Sequence, residues 1–194
     1  MNDPRFAILV ASAVALVGAA LIVDSPPDQP NPVGPKFGAG DEVYLFQSYN
    51  CDACHDFTNF TLPGTIDMIL ENNRSLIIKN VASPQEFPEA IGHCVWQEFP
   101  EHWLQWNRMA FLEKGGNKST WDTMDQLLYA TEYNLLLPLP ETSRLEKCIY
   151  TQDWTQQIRE DTRFAKAIKL PALFSNGKWY EASMESTEAI LEAR

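Results

Sequence analysis

Two short apolar runs in the first half of the chain predict two buried strands. Val43–Tyr49 (VYLFQSY) and Ser75–Val81 (SLIIKNV) are rich in aromatic and β-branched residues, as strands covered on both faces are. An apolar stripe of Ile66, Ile69 and Leu70 lies between them and predicts a helix, which Pro63 and Gly64 interrupt or kink. Strand, helix and strand in succession predict a right-handed crossover that joins two parallel strands.

From residue 88 to residue 151 the apolar positions follow helical spacing, which predicts a run of helices. We interpret the aromatic residues of this segment as core and not as the lining of a peptide groove. The predicted buried positions are Ile91, Val95, Phe99, Trp103, Trp106, Phe111, Leu112, Trp121, Met124, Leu127, Leu128, Leu145, Cys148 and Ile149.

The C-terminal part of the chain predicts a helix, a hairpin and a closing helix. Gln156–Ile168 is amphipathic and predicts the first helix. Leu170–Tyr180 contains Asn176-Gly177 between two apolar runs, which is the strongest short signal of a β-hairpin. Ser186–Ala193 predicts the last helix, with Ser186 or Thr187 as its N-cap.

The N-terminal region differs from the rest of the chain. Phe6–Val23 is an unbroken apolar run, just long enough to cross a bilayer as a helix, so residues 1–23 predict a signal anchor or transmembrane helix. A cleaved signal peptide is the alternative. Residues 24–40 hold five of the 13 prolines and predict an extended linker. The weak charge bias around the run favours an orientation with the N-terminus inside the cell and the domain outside.

Composition narrows the class of protein. The chain has 194 residues with 45% hydrophobic content, which fits one globular domain over residues 41–194. Its formal net charge of -11 argues against nucleic acid or an anionic membrane surface as the main partner, because both need a basic face.

The first predicted strand leads into Cys51-Asp52-Ala53-Cys54, which has the local form of a redox site. A cysteine in the first turn of a helix lies near free backbone N–H groups and the positive end of the helix dipole, so its thiolate is favoured. Cys51 is therefore the predicted nucleophile. Cys54 lies about one turn further and is the predicted resolving cysteine, which attacks a mixed disulfide formed at Cys51.

Three other interpretations of the motif remain. Cys51, Cys54 and His55 also match the attachment signature of c-type haem, although a strand leads into the motif where a haem envelope is mostly helical. A zinc site would need a second closely spaced pair of ligands, which does not follow. A purely structural disulfide would close a loop of only four residues and stabilise little.

Cys94 and Cys148 are the other two of four cysteines. If the domain is exported, it meets an oxidising environment, and these two can form a second disulfide. The alternative is that both are buried free thiols, which pack as small apolar side chains.

The order of these elements resembles the bacterial periplasmic DsbA-like branch of the thioredoxin superfamily. The resemblance covers about Glu42 to Arg194. It rests on FQSYNCDAC with its downstream helix, on LEKCIY before the final helix, and on KLPALFSNGKWY, which is similar to the family's segment around a cis-proline. It implies an α/β thioredoxin-like fold with a helical insertion at about residues 88–151, preceded here by one transmembrane helix.

The resemblance also implies roles for residues. Cys51 would attack, Cys54 would resolve, and Pro171 would be a cis-proline facing them, with the backbone of Leu170 able to pair with an extended substrate. The helical insertion would cap the site. The protein would then be a thiol-disulfide oxidoreductase without metal or organic cofactor, anchored by one span in the inner membrane with its domain in the periplasm. Its partners would be exported cysteine-containing proteins and a membrane redox partner.

Two positions depart from the family. Leu45 stands where the family often has an acidic residue six positions before the first cysteine. Asp52-Ala53 replaces the Pro-His of the strong oxidants, and a carboxylate beside Cys51 should raise the pKa of its thiol. We therefore expect a weaker oxidant than the family's strongest members. A non-catalytic scaffold or assembly factor of an envelope complex is the alternative function.

Overall fold

The computed structural model describes residues 29–81, 87–112 and 124–193. These residues form a five-stranded sheet in the order β1-β3-β2-β4-β5. The strands are β1 (Lys36–Gly38), β2 (Glu42–Gln47), β3 (Ser75–Asn80), β4 (Ala172–Ser175) and β5 (Lys178–Glu181). β2 and β3 are parallel, with Tyr44 opposite Ile77, as the strand–helix–strand order predicts. The pairs β1–β3, β2–β4 and β4–β5 are antiparallel.

Eight helices accompany the sheet in the described part of the chain. They are α1 (Asp52–Asp56), α2 (Leu62–Glu71), α3 (Phe87–Glu98), α4 (Trp103–Leu112), α5 (Met124–Leu135), α6 (Leu139–Thr151), α7 (Thr155–Phe164) and α8 (Met184–Glu192). A π-helical turn, Phe57–Thr61, joins α1 to α2. A 3₁₀ turn, Pro100–His102, precedes α4.

The sheet has a core on each face because β2 and β3 are apolar on both. Val43, Leu45, Leu76 and Ile78 belong to the larger core, which also takes residues from α1 to α6 and from α8. Tyr44, Phe46 and Ile77 belong to the smaller core, together with Phe174 of β4 and Ala165 at the end of α7. Helices α3 to α6 form the helical insertion, which we call the cap. The α/β fold with this insertion confirms the predicted class.

The structure corrects four predictions about local structure. Lys36–Gly38 lies in the expected linker, yet it forms edge strand β1 because its backbone pairs with β3. The helix after the motif is not interrupted at Pro63 and Gly64, because both lie in the first turn of α2, where proline is tolerated, directly after the π-turn. Leu70 is 41% exposed and not part of the core. The last helix is capped by Ser183, whose hydroxyl accepts from the N–H of Ser186.

Some predictions concern residues outside the described ranges. The anchor over residues 1–23, the start of the linker, Trp121 and the side chain of Leu112 are among these. Within the ranges that are described, no helix has both the length and the apolar character needed to cross a bilayer.

Candidate active site

Cys51 is the N-cap of α1, at the carboxyl end of β2. Its backbone is extended, with φ −111° and ψ 113°. Its side chain accepts a hydrogen bond from the backbone N–H of Cys54 in the first turn of the helix. The N–H of Cys54 lies 3.1 Å from the Cys51 sulfur. A backbone N–H aimed at sulfur stabilises a thiolate more than a thiol, and the positive end of the helix adds to this. The geometry therefore favours Cys51 as the nucleophile and as the leaving group.

The two motif cysteines form a disulfide with their Cα atoms 5.1 Å apart. Cys54 is fully buried, whereas Cys51 is partly exposed. Since an external thiolate needs a line of approach to the sulfur that it attacks, exchange with another protein is possible at Cys51 and blocked at Cys54. The predicted division of roles is consistent with this difference in exposure.

Leu170, in the loop that precedes β4, contacts Cys51, and Pro171 follows it. The Leu170–Pro171 peptide bond is cis. The carbonyl oxygen of Leu170 is 3.5 Å from the Cys51 sulfur. Pro171 is buried, and its own carbonyl accepts from the N–H of Ala182 at 3.2 Å. The structure thus brings together the four residues that the sequence singled out for the site, although 119 positions separate Cys51 from Leu170.

The polar side chains beside the motif are Asp52 and His55. Asp52 is exposed in the first turn of α1. The Nδ1 atom of His55 lies 3.1 Å from Oδ1 of Asp56, so the polar partner of this ring is a carboxylate and not Cys51. Leu45, which replaces the family's acidic residue, is fully buried among apolar side chains. Any group that manages the protons of Cys54 must therefore lie elsewhere.

A buried polar cluster lies behind the motif, and sequence reasoning missed it. We call it the Gln47 cluster; its members are Gln47, Tyr49, Thr58, Asn80 and Asn107, each at most 2% exposed. Thr58 donates to Oε1 of Gln47 at 3.1 Å. Nε2 of Gln47 donates to Asn80 at 2.9 Å and to Asn107 at 3.1 Å. Tyr49 donates to Asn107 at 3.1 Å. A glutamine and an asparagine at the ends of apolar strands were the available signal.

The pKa of Tyr49 is raised well above its ordinary value because the ring is buried, and the charge of Glu89 raises it further. The phenol is therefore neutral at physiological pH and acts as a hydrogen-bond donor. Glu89, on α3, is itself fully buried. The hydrogen bonds of the cluster thus join uncharged side chains, and the carboxylate of Glu89 lies nearby.

Cys94 and Cys148 form a second disulfide, between α3 and α6, with their Cα atoms 5.7 Å apart. Both are buried. The indole N–H of Trp154 points at the Cys94 sulfur at 3.3 Å, and the His93 ring stacks on the Trp154 ring with centroids 4.7 Å apart. Burial lowers the pKa of His93 to about 4, and the charge of Lys79 acts in the same direction. This disulfide is enclosed in the cap.

A buried ion pair on the opposite face of the sheet was also missed. Nζ of Lys79 lies 2.9 Å from Oδ1 of Asp161, and both side chains are almost fully buried. The same ammonium donates to the carbonyl of Val33 at 2.6 Å, which fixes the segment before β1. Burial raises the pKa of Asp161 to about 6 despite the lysine, and it lowers the pKa of Lys79. A lysine within the apolar run of β3 was the sequence signal.

The geometry bears on the rival interpretations of the motif. Among the residues described, no group of three or more histidine, cysteine or acidic side chains is arranged to hold a metal ion. For haem attachment both cysteine sulfurs would have to be free to bond to the porphyrin, and here they are bonded to each other and Cys54 is fully buried. The arrangement fits exchange between a disulfide and two thiols.

A thioredoxin-type sheet, a cis-proline beside an N-capping cysteine and a helical cap define a class: the DsbA-like form of the thioredoxin fold. Chlamydia trachomatis DsbA is similar at 18% identity, with a TM-score of 0.65, over 86% of this chain and 94% of that one. BdbD from Bacillus subtilis is similar at 17% identity, with a TM-score of 0.62, over 84% and 97%. MdbA from Actinomyces oris, a thiol-disulfide oxidoreductase, is similar at 14% identity, with a TM-score of 0.61, over 86% and 92%.

These likenesses establish the fold, in agreement with the resemblance that the sequence motifs carry. No protein-family model matches the sequence. No curated protein matches it either.

Proposed function

We propose that the protein is a thiol-disulfide oxidoreductase that exchanges disulfides with exported proteins through Cys51 and Cys54. The observation that carries the proposal is the environment of the partly exposed Cys51. Its sulfur accepts a hydrogen bond from the N–H of Cys54 and lies beside the carbonyl of Leu170. The similarity in fold to DsbA proteins and to MdbA supports the same activity.

In the oxidising direction, a substrate thiolate attacks the Cys51 sulfur and the Cys51–Cys54 bond breaks. Cys54 leaves with the electron pair and takes up a proton. A second substrate thiolate then attacks the substrate sulfur of the mixed disulfide, and Cys51 leaves as a thiolate that the Cys54 N–H stabilises. The reducing direction runs these steps backwards, with Cys54 resolving the mixed disulfide at Cys51.

Leu170 and Pro171 are proposed to position the substrate. Pro171 has no N–H, and the Leu170 carbonyl lies 3.5 Å from the reacting sulfur, within reach of an extended chain whose cysteine approaches Cys51. An extended segment that pairs with this backbone would align its sulfur with the Cys51–Cys54 bond.

The activity is tested by comparing wild type with Cys51→Ser in insulin reduction and in oxidation of a dithiol peptide. We expect the variant to lose activity by at least about a hundredfold, because serine is not a nucleophile toward a disulfide. Cys54→Ser should instead accumulate a mixed disulfide at Cys51, which mass spectrometry detects. Equal rates for wild type and Cys51→Ser would leave a non-catalytic scaffold as the better description.

We also propose that residues 1–23 anchor the protein by one span in a bacterial inner membrane, with the folded domain, whose sheet begins at β1, in the periplasm. The apolar run Phe6–Val23 supports this. The partners would be exported cysteine-containing proteins and a membrane protein that resets the redox state. Carbonate extraction and protease protection of spheroplasts test the placement: release by carbonate, or protection of the domain, would contradict it.

A further inference from the structure

The Gln47 cluster joins five segments around the motif. Gln47 and Asn80 end the two parallel strands, Tyr49 belongs to the loop that leads to Cys51, Thr58 lies in the π-turn after Cys54, and Asn107 comes from cap helix α4. π-turns within helices are frequent at functional sites. The cluster is therefore the place where sheet, cap and redox helix are held together by directed bonds.

The hydrogen bond from Thr58 to Gln47 closes a loop that contains both motif cysteines. Its ends are eleven positions apart, and Cys51 and Cys54 lie between them. The Cys51–Cys54 disulfide closes a smaller loop of sequence separation three within the larger one. Whatever restrains the larger loop also restrains the positions in which the two sulfurs can meet.

A second restraint comes from the cap. Oδ1 of Asn107 accepts from both Gln47 and Tyr49, each at 3.1 Å. Tyr49 is two residues before Cys51, and its ring also packs on Phe111 of α4 with centroids 4.8 Å apart. Asn107 thereby fixes the approach of the chain to Cys51, while Thr58 fixes the helix that carries Cys54.

These bonds are strong restraints because they are buried. Removal of one partner leaves the other unpaired in a medium of low dielectric constant, which is unfavourable. A restraint on two reacting groups raises their effective concentration toward each other. Because a disulfide is stable in proportion to that concentration, the cluster should stabilise the disulfide relative to the dithiol.

We propose that Thr58 and Asn107, acting through Gln47, are positioning residues for the Cys51/Cys54 couple and that they make it more reducing than it would be without them. The inference deepens the proposed function, since it assigns the control of the same pair. Neither side chain touches the substrate; both act through the placement of the cysteines.

The measurement is the equilibrium with glutathione. Two thiols of the protein and one glutathione disulfide give the protein disulfide and two glutathione thiols, so two electrons and two protons pass from the cysteines to glutathione. The fraction of oxidised protein across a series of glutathione buffers gives the equilibrium constant, with alkylation and mass spectrometry as the readout. The Cys94–Cys148 pair is counted separately by peptide mass.

The test variant is Thr58→Val, which keeps the shape of the side chain and removes the hydroxyl. We expect the constant for forming the Cys51–Cys54 disulfide to fall about threefold, which is about 14 mV toward a more oxidising couple. Thr58→Ser, which keeps the donor, should restore the wild-type constant.

The matched control is Thr65→Val. Thr65 is also fully buried and lies seven positions further along, but its hydroxyl is directed at the sulfur of Met184, 3.7 Å away, and not at the Gln47 cluster. It should leave the constant unchanged, even if it lowers the stability of the fold as much as Thr58→Val does.

Equal constants for Thr58→Val and wild type, or equal shifts for Thr58→Val and Thr65→Val, would overturn the inference. Asn107→Ala gives a second reading and should shift the constant in the same direction. The equilibrium needs no turnover, so the inference can fail while Cys51→Ser still abolishes activity, and it can hold even if the protein proves to be a scaffold.

Discussion

The two disulfides of this protein differ in almost every feature of their surroundings. Cys51 is partly exposed, and its sulfur accepts a hydrogen bond from a backbone N–H and lies beside the carbonyl of Leu170. Cys94 and Cys148 are buried in the cap, and the indole of Trp154 covers the Cys94 sulfur. One pair is placed where another thiolate can reach it, and the other is placed where none can. Reactivity is thus set by access and by nearby dipoles, since the covalent bond is the same.

The loops that they close differ as well. Three positions separate Cys51 from Cys54, whereas 54 separate Cys94 from Cys148. In the chain-entropy model the short loop stabilises the fold by about 2 kcal/mol and the long one by about 4 kcal/mol. The difference favours a stabilising role for the cap disulfide and is consistent with the chemistry proposed for the motif disulfide.

The largest expected effect is the loss of stability on removal of the cap disulfide. The double variant Cys94→Ala/Cys148→Ala should lower the free energy of unfolding by about 4 kcal/mol, because the unfolded chain regains the freedom of a long loop. Urea unfolding at pH 7 measures it. The double variant Cys51→Ala/Cys54→Ala is the control and should lose about 2 kcal/mol or less.

Insulin reduction by the two disulfide variants tests the same difference between the cap and the motif disulfide. Below its own unfolding transition, Cys94→Ala/Cys148→Ala should retain insulin reduction, since the cap pair is closed to substrate. The assignment fails if this variant loses activity while still folded, or if the motif variant is the less stable of the two.

An effect of about 3 kcal/mol is expected from His93, which stacks on Trp154 beside the cap disulfide. Its pKa is lowered from 6.5 to about 4, so the folded state holds the ring neutral while the unfolded chain protonates it. This contribution is fully present above pH 6.5 and is lost as the pH falls through the folded-state value, by about 3 kcal/mol in all. His93→Phe keeps a stacking ring and should lack this dependence.

The pH dependence must be read as a difference between wild type and His93→Phe. Asp161 acts with the opposite sign in the same range, because its pKa is raised from 3.8 to about 6 by burial and its contribution to stability is gained as the pH falls. Urea unfolding of both proteins at pH 7, 6, 5 and 4 should therefore show wild type losing stability relative to the variant. Parallel curves would mean that His93 is not held neutral in the fold.

Local patterns predicted the strands, most helices and the hairpin, because these depend on near neighbours. Val43–Tyr49 carries the residues of a doubly covered strand, and β2 occupies most of it. Asn176-Gly177 forms the predicted turn, with both residues at positive φ. Residues 36–38 were missed because a three-residue edge strand has no periodicity of its own and exists through pairing with β3. The cap at Ser183 was missed because Ser186 is equally suited by type.

The residues of the candidate site also fall into those that local patterns predicted and those that they did not. The Cys-x-x-Cys spacing pointed to Cys51 and Cys54, and the family resemblance pointed to Leu170 and Pro171. Gln47 and Asn80, at the ends of apolar strands, were a signal for the Gln47 cluster, but Thr58 and Asn107 are ordinary helix-surface residues by type, and only the packing of α4 against the motif buries them. Polar residues that tertiary contacts bury have no signature in a local pattern.

The smallest expected effect concerns Asp52 and the reactive side of the comparison. Its carboxylate is exposed in the first turn of α1, next to Cys51, where a negative charge opposes the formation of a thiolate. Asp52→Asn should lower the pKa of the Cys51 thiol by about half a unit, since solvent screens an exposed charge. Thiolate absorbance at 240 nm across a pH series measures it, with Cys54→Ser as background so that a single motif thiol titrates. Asp56→Asn is the matched control: its charge lies one helical turn further on, paired with His55, and should matter less. Salt makes the contrast sharper, because at an ionic strength of about 1 M the screening length falls to about 3 Å and the difference between Asp52→Asn and its parent should largely vanish. A difference that persists in high salt would show that Asp52 acts on Cys51 through the start of the helix and not through its charge.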